Sequence, residues 1–369
     1  MHSPDFHFMQ QCLRLAQSGY GRVNPNPMVG AVIVKDGAVI AEGVHRRFGG
    51  DHAELDALKR AGNRAAGATL YVNLEPCNHH GKTPPCTAAI MDAGIERVVY
   101  GAEDPNPGVT GNGSRRLKQS GIQVEKGVLH DEAVTLNEQF YFAMRANLPF
   151  VILKAAMTLD GYIADSRSKS KWITGEAARE YVQYLRRGSD AILAGANTVR
   201  DDNPRLTVHG ETDRQPFRII LDGALNTPLR SKVYNDEFRS RTIVICLQKN
   251  KNRAKIEQLE KKGVTVLQYK SENNRLSIRR VLRGLQKRKI NSLLVEGGGD
   301  VFRQFIESKL YARAMFFIAP KMTGGGTKVV SGIDRPLRNA YRLYNITTEI
   351  FGEDVLIKGD TELYGKYVW

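Results

Sequence analysis

In the first half of the chain, one histidine, one glutamate and two cysteines have the types and spacing that metal chemistry requires. The sequence reads His52-Ala53-Glu54, then Glu75-Pro76-Cys77 and, further on, Pro85-Cys86. One imidazole and two thiolates supply three of zinc's four tetrahedral positions and leave the fourth for water, the open arrangement of a catalytic site. His52 begins an apparent helix reaching Ala61, and each cysteine follows a proline, a residue favoured in the first helical turn. Helix N-termini carry partial positive charge, which lowers a thiol's pKa and favours the thiolate a metal needs. Glu54 is then free to move protons rather than bind metal, the division of labour of zinc deaminases. Read singly, His52 is an ordinary surface histidine and the cysteines are small core residues; His-x-Glu followed by two Pro-Cys pairs argues otherwise. Cys12, on an apolar helix face, and Cys246, in an apolar strand, read as core. His79 and His80, beside Gly81, read as substrate contacts or exposed side chains.

The distance between the cysteines narrows the substrate. Deaminases of free cytidine or nucleic-acid bases use Pro-Cys-x-x-Cys, whereas here residues 78–85 intervene. That insertion is expected to form a lip of the pocket. A nucleic-acid editing deaminase with a basic binding domain would account for the chain's charge but not for this spacing. A non-catalytic zinc module would leave Glu54 without a purpose.

A second constellation lies beyond residue 150. Lys154-Ala155-Ala156-Met157-Thr158-Leu159-Asp160-Gly161 is followed by Ser170-Lys171-Trp172-Ile173-Thr174, by Gly195 to Pro204 and by Glu296-Gly297-Gly298-Gly299. A strand, a glycine turn and a helix, here about Val301 to Ser308, can seat a pyrophosphate at the helix N-terminus; the same glycines can equally be a tight turn. No G-x-G-x-x-G occurs, which disfavours a Rossmann dehydrogenase.

These residues need elements to hold them. The chain is 369 residues long, 41% hydrophobic and 25% charged, a globular composition with length for two domains. In the first half a helix from Asp5 to Ser18 precedes apolar runs Met28–Val34 and Ala38–Val44, joined through Asp36-Gly37, a strong hairpin signal. Helix and strand then alternate to a last helix from about Asp131 to Arg145, ending before Asn147-Leu148-Pro149. We place the boundary there, giving domains 1–147 and 148–369. The second half alternates strands and helices, which argues a mainly parallel α/β sheet. Residues 1–147 hold 15 Lys and Arg against 15 Asp and Glu, so the whole net charge of +15 falls in 148–369. Nucleic acid, a phosphorylated small molecule and a solvated face are all compatible with it. Within the basic run 249–289, Ile278, Val281, Leu282 and Leu285 recur at helical spacing, so the intervening Arg and Lys line an outer face. No stretch approaches the ~20 apolar residues of a membrane helix. Residues 1–10 lack a basic n-region and an apolar h-region. Four cysteines make no disulfide framework, and a cytoplasmic location is expected.

At Asn24-Pro25-Asn26-Pro27-Met28-Val29-Gly30, His52-Ala53-Glu54 and the run Glu75 to Cys86, the sequence resembles the bifunctional riboflavin biosynthesis deaminase/reductases, and the resemblance covers essentially the whole chain. It implies an α/β protein of two domains, an N-terminal cytidine-deaminase-like three-layer α/β/α domain and a C-terminal α/β domain similar to dihydrofolate reductase. It implies zinc on His52, Cys77 and Cys86, with Glu54 as proton shuttle and Asn24 and Glu75 holding a pyrimidine that carries a phosphoribosylamino group. For the second domain it implies NADPH, contacted by Ala156, Trp172, Thr198, Asp202 and Gly298. Ser170, Arg186, Leu206 and Glu296 would face the substrate and Lys154 the reaction site, Arg186 serving as a two-point phosphate clamp. Neither nucleic acid nor membrane is expected as a partner; a homo-oligomer is. Two departures stand out: Asn73, where the family usually has Thr and where packing rather than chemistry should change, and His209, where it usually has Arg, leaving Arg205 or a protonated His209 for phosphate. Arg200 is a candidate for reading the NADPH 2′-phosphate.

Overall fold

Asp36 and Gly37 turn the first hairpin with φ of 50° and 76°, the left-handed geometry that matches strand twist in a two-residue loop. They join β1 (Gly30–Lys35) to β2 (Ala38–Val44), and the sheet is completed by β3 (Thr69–Leu74), β4 (Arg97–Ala102) and β5 (Gln123–Lys126) in the order β2-β1-β3-β4-β5. β1 is antiparallel to both neighbours; β3, β4 and β5 are parallel. The structure is a computed structural model describing residues 3–78, 85–106, 111–210, 212, 214–249 and 252–369. It divides into two units, Met1–Arg145 with Val368 and Ala146–Tyr367 with Trp369.

The first unit has three layers because β1 is buried on both faces. Val32 and Val34 pack with Met9 and Cys12 of α1 (Pro4–Gln17), which confirms Cys12 as core. By strand alternation Ala31 and Ile33, both fully buried, point the other way, toward α2 (Ala53–Ala61). α2 lies close enough to β2 for one residue to matter: a Cβ on Gly43 would sit 2.1 Å from Ala53 O and 2.4 Å from Ala57 N. Only a glycine admits that contact. α3 (Cys86–Asp92) packs beside α2, and α4 (Asn112–Gln119) beside α3. Where one helix is expected from Asp131 to Arg145 there are two, α5 (His130–Leu136) and α6 (Glu138–Ala146), broken at Asn137.

The second unit is built on a nine-stranded sheet. Its order is Thr265–Tyr269, Thr242–Leu247, Phe217–Leu221, Ala191–Gly195, Ser292–Gly297, Phe150–Thr158 and Arg313–Ala319, all parallel, followed by Asp354–Asp360, antiparallel to Arg313–Ala319, and Tyr344–Phe351, antiparallel to Asp354–Asp360. The parallel part follows the expected pattern; the final antiparallel hairpin and the short helix Ala196–Asp202 lie outside it. Cys246 is fully buried in the core. Helix Ile278–Gln286 buries Ile278, Val281, Leu282 and Leu285 and leaves Arg279, Arg280 and Arg283 in solvent. The amphipathic reading of that stretch holds.

Candidate active sites

His52 is the N-cap of α2, Glu54 lies in its first turn, and Cys86 is the first residue of α3, capped by Pro85. Cys77 is not helical. It follows β3 in extended chain and lies against the start of α3, where its Sγ accepts the Cys86 N–H at 3.5 Å. His52 Nδ1 is 3.2 Å from Cys86 Sγ and 3.6 Å from Cys77 Sγ, and the three donor atoms all lie within 4.8 Å of one another. A tetrahedral ion with bonds of ~2.3 Å to sulfur and ~2.0–2.1 Å to nitrogen separates such donors by ~3.5 Å. The cluster therefore fits zinc in donor type and in size.

Its protonation points the same way. The Cys86 thiol donates to Cys77, and His52 sits beside it, so Cys77 is drawn down to about 4 and is a thiolate. Cys86 keeps the shared proton and is pushed well up. The Cys77 thiolate raises His52 to about 9, although Cys86 Sγ lies nearer, because a neutral thiol exerts little pull. Metal binding displaces such protons. Glu54 is 4% exposed, reaches Cys86, and has its carboxyl pKa raised by burial. A buried carboxyl that prefers its proton suits a group that must both accept and donate one.

The surroundings hold residues that sequence reading passes over. His45 is buried, donates from Nδ1 to Asp51 O (2.8 Å), accepts at Nε2 from Asn26 Nδ2 (3.1 Å), and has its ring 5.6 Å from that of His52. It links the loop containing Asn24 to the metal cluster. Asn73 is fully buried, accepts the Gly30 N–H (2.8 Å) and donates to Met28 O (3.0 Å). Asn137 accepts the Met28 N–H (2.7 Å) and donates to the same carbonyl (2.9 Å), which is what turns its backbone out of the helix. Two amides thus fix Met28–Gly30, the end of the loop that carries Asn24. The lip expected at 78–85, with His79 and His80, lies mostly outside the described residues.

In the second unit a cleft of about 1380 Å³ opens along the carboxyl ends of the parallel strands. Lys154, Ala156, Ser170, Trp172, Arg186, Thr198, Asp202, Leu206, Glu296 and Gly298 all line it. Ser170 Oγ donates to Asp202 Oδ1 at 2.7 Å, and the Arg179 guanidinium lies 4.7 Å over the exposed Trp172 ring. Gly298 has φ of 75°, and a Cβ there would stand 3.3 Å from Thr198 Oγ1. The backbone is bare toward the cleft where helix Gly299–Ser308 begins, a setting that fits a dinucleotide pyrophosphate. Burial lowers the pKa of Lys154, partly offset by Glu296. Burial of Glu296 acts against its charged form, but Arg186 and Lys154 together leave its pKa lowered.

Two family models match the chain: "Cytidine and deoxycytidylate deaminase zinc-binding region" over residues 2–102 and "RibD C-terminal domain" over 149–357. The Aquifex aeolicus riboflavin biosynthesis protein RibD is 43% identical over 354 residues, covering 96% of this chain and 97% of that protein. The chain belongs to the RibD family. Among solved structures, Acinetobacter baumannii RibD (form 1) superposes with a TM-score of 0.88 at 35% identity, covering 97% of this chain and 98% of that one. The Thermotoga maritima diaminohydroxyphosphoribosylaminopyrimidine deaminase/5-amino-6-(5-phosphoribosylamino)uracil reductase gives 0.85 at 40% identity, covering 97% and 99%. Like other RibD proteins it joins a zinc-binding, cytidine-deaminase-like domain to a reductase domain that uses NADPH.

Within this RibD frame three residues are placed differently from the sequence reading. The Arg186 fork is spent on Glu296, with Nε and Nη2 each 2.6 Å from a carboxylate oxygen and Nη1 2.9 Å from Thr207 O. A guanidinium so committed cannot also clamp a phosphate at two points. Glu75 has both oxygens on backbone: Oε2 accepts from Gly111 (2.9 Å) and Asp104 (3.4 Å), and Oε1 from Ser114 (3.0 Å). It ties the segment before Cys77 to the start of α4. Arg200 pairs with Asp201 at 3.0 Å, is exposed and is not part of the cleft wall.

Proposed function

We propose that residues 1–147 deaminate 2,5-diamino-6-(5-phosphoribosylamino)pyrimidin-4(3H)-one and that residues 148–369 reduce the ribosyl group of the product to ribityl with NADPH. The convergence of His52, Cys77 and Cys86 within 4.8 Å beside buried Glu54 carries this reading. These three side chains hold the zinc, which when bound supplies a Lewis acid that brings the pKa of its water near neutrality. Glu54 takes one proton from the attacking water and gives it to the ring nitrogen, then takes the second from the hydroxyl added at carbon 2 and gives it to the amine there; the carbon–nitrogen bond breaks, the carbonyl forms and ammonia leaves. Asn24 orients the pyrimidine from a loop held by Asn73 and Asn137. Glu75, with its oxygens on backbone amides, shapes the pocket floor.

In the second domain the cofactor supplies hydride to the anomeric carbon. Breaking the ring carbon–oxygen bond leaves an alkoxide that needs a proton, and Lys154 provides it. The Arg186–Glu296 pair fixes the charge beside that lysine, Thr198, Asp202 and Gly298 seat the cofactor with Ala156 and Trp172, and Ser170 and Leu206 face the sugar. Glu237 holds Arg205 through both of its oxygens, at 3.0 and 2.8 Å, which leaves His209, exposed on the cleft rim, for the substrate phosphate. Purified protein incubated with the diaminopyrimidinone phosphoribose compound should release ammonia without NADPH and form the ribitylamino product only with it, as read by mass spectrometry. Neither product from folded, zinc-loaded protein would overturn the reading.

The zinc assignment has its own check. Cys77→Ser and Cys86→Ser proteins should each lose most of their bound zinc by elemental analysis, since a hydroxyl is a poor substitute for a thiolate on this ion. Undiminished zinc in either would show that the metal sits elsewhere. We place the protein in the reducing cytoplasm, consistent with its four free, buried cysteines. We also propose a homo-oligomer formed through edge strand Tyr344–Phe351, where Ile346 is 51% and Ile350 77% exposed. A long edge strand with apolar side chains in solvent is a pairing surface. Ile350→Arg should lower the mass measured by light scattering; an unchanged mass would remove that strand from the interface.

A further inference from the structure

The reductase cleft has two ends, and the sheet sets their separation. From Phe150–Thr158, which carries Lys154, the strands step through Ser292–Gly297, Ala191–Gly195 and Phe217–Leu221 to Thr242–Leu247. Four steps at ~4.8 Å put about 19 Å between the strand bearing Lys154 and the far end. The far end is walled by Leu221, Gly223, Leu247 and Leu276. A Cβ on Gly223 would lie 3.6 Å from Leu247 Cγ and 3.8 Å from Leu276 Cδ1. The missing side chain therefore leaves the cleft wall bare between two leucines, a slot at Gly223 bordered by aliphatic carbon.

Arg275 is a cleft-lining cation of that end. Arg275 lies on the small hairpin Ser271–Glu272/Arg275–Leu276, turned by Asn273 and Asn274 at φ of 48° and 60°. Lys249 Nζ holds the turn through Asn274 Oδ1 at 2.9 Å. Arg275 lines the cleft, is exposed, and has no ion pair or side-chain hydrogen bond among the described residues. Among the other cations, Arg200 is outside the cleft wall, Arg205 is bound to Glu237, Arg186 to Glu296, Arg303 to Asp300, Arg179 lies over Trp172, and Lys232 has its backbone N on Asn203 Oδ1 at 2.8 Å.

We propose that the slot at Gly223, Leu247 and Leu276 takes the adenine ring and that Arg275 reads the 2′-phosphate, so that this hairpin selects NADPH over NADH. The inference rests on the reductase reading above, which puts the nicotinamide at the Lys154 end and so leaves the end four strands away for the adenosine. A guanidinium offers a phosphate monoester paired, charge-assisted hydrogen bonds that a bare ribose hydroxyl cannot return.

Equilibrium binding tests it without turnover. Wild-type and variant protein are titrated by calorimetry with NADPH, NADH, adenosine 2′,5′-bisphosphate and 5′-AMP. Arg275→Ala should weaken NADPH and the bisphosphate about tenfold and leave NADH and 5′-AMP unchanged; Arg275→Lys should recover part of the loss. Equal weakening of phosphorylated and unphosphorylated ligands, or no weakening, would overturn the assignment. A wild-type protein that binds NADH as tightly as NADPH would overturn it together with the cofactor reading. Retained NADPH preference in Arg275→Ala would overturn the assignment alone. Arg275 is a solvent-facing hairpin residue, so folding is not at stake.

Discussion

Glu54→Gln protein should retain its zinc and its reductase activity and lose deamination by ~100-fold or more, the usual contribution of a positioned acid/base group. Glutamine matches glutamate in length and leaves His52, Cys77 and Cys86 untouched, so metal content should stay at the wild-type level. What it removes is the proton carrier: an amide neither takes a proton from water nor delivers one to the ring nitrogen. The burial that lifts the Glu54 pKa makes this group hard to replace, since at 4% exposure bulk water has little access to its position. Ammonia release is the readout, with NADPH oxidation on independently supplied deaminated substrate as the internal control. Near-normal ammonia release would show that another group moves the proton. Loss of both activities together would signal unfolding, which circular dichroism detects.

Lys154→Met should abolish measurable reduction, spare deamination and raise the thermal midpoint of the reductase domain. The activity loss follows from removing the acid proposed to protonate the sugar oxygen. The stability gain follows from counting charge in the cleft floor. Arg186 and Glu296 neutralise one another through a two-bond fork, and Lys154 adds a positive charge without a carboxylate of its own. Methionine keeps the length and removes the desolvation cost, for about 1 kcal/mol or roughly 2–4 °C in a domain of this size. The sign with pH can be worked out. The folded-state pKa of Lys154 lies below its ordinary value, so the unfolded chain binds more protons between the two. Wild-type stability then rises with pH across that alkaline window, and the advantage of Lys154→Met should shrink there. Melting curves at neutral and alkaline pH check both statements. A destabilised Lys154→Met at neutral pH would show that the lysine is held by more than its charge partners.

The zinc cluster was legible in the sequence because its chemistry is written in residue types, and because the N-termini of α2 and α3 leave local signals at His52 and Pro85-Cys86. The parallel core was legible for a similar reason, its strands being short apolar runs between helical periods. What could not be read depends on pairings across long stretches of chain. Nothing local distinguishes a Glu75 that contacts substrate from one that accepts three amide hydrogens from residues 104 to 114. Arg186 meets Glu296 across 110 positions, and that partner decides whether its fork is available for phosphate. The break at Asn137 has the same origin: helical periodicity runs through it, and only Met28, 109 positions away, gives the side chain a reason to turn. The Tyr344–Asp360 hairpin is a different case. Gly352 at φ of 65° marks its turn, and the alternation before it was readable as strand.

The contact between Gly43 and α2 bears on how the deaminase site tolerates change. Side chains around a helix trade volume by turning to other rotamers, so a core can drift in composition while its helices settle by fractions of an ångström. Backbone pressed on backbone has no rotamer to turn. With Gly43 Cα seated against Ala53 and Ala57, the height of α2 above the sheet is a fixed dimension, and His52 and Glu54 at its first turn inherit it. The distance from the His52–Cys77–Cys86 cluster to Glu54 is thereby insulated from repacking elsewhere in the domain, and a single methyl group at position 43 would reset it.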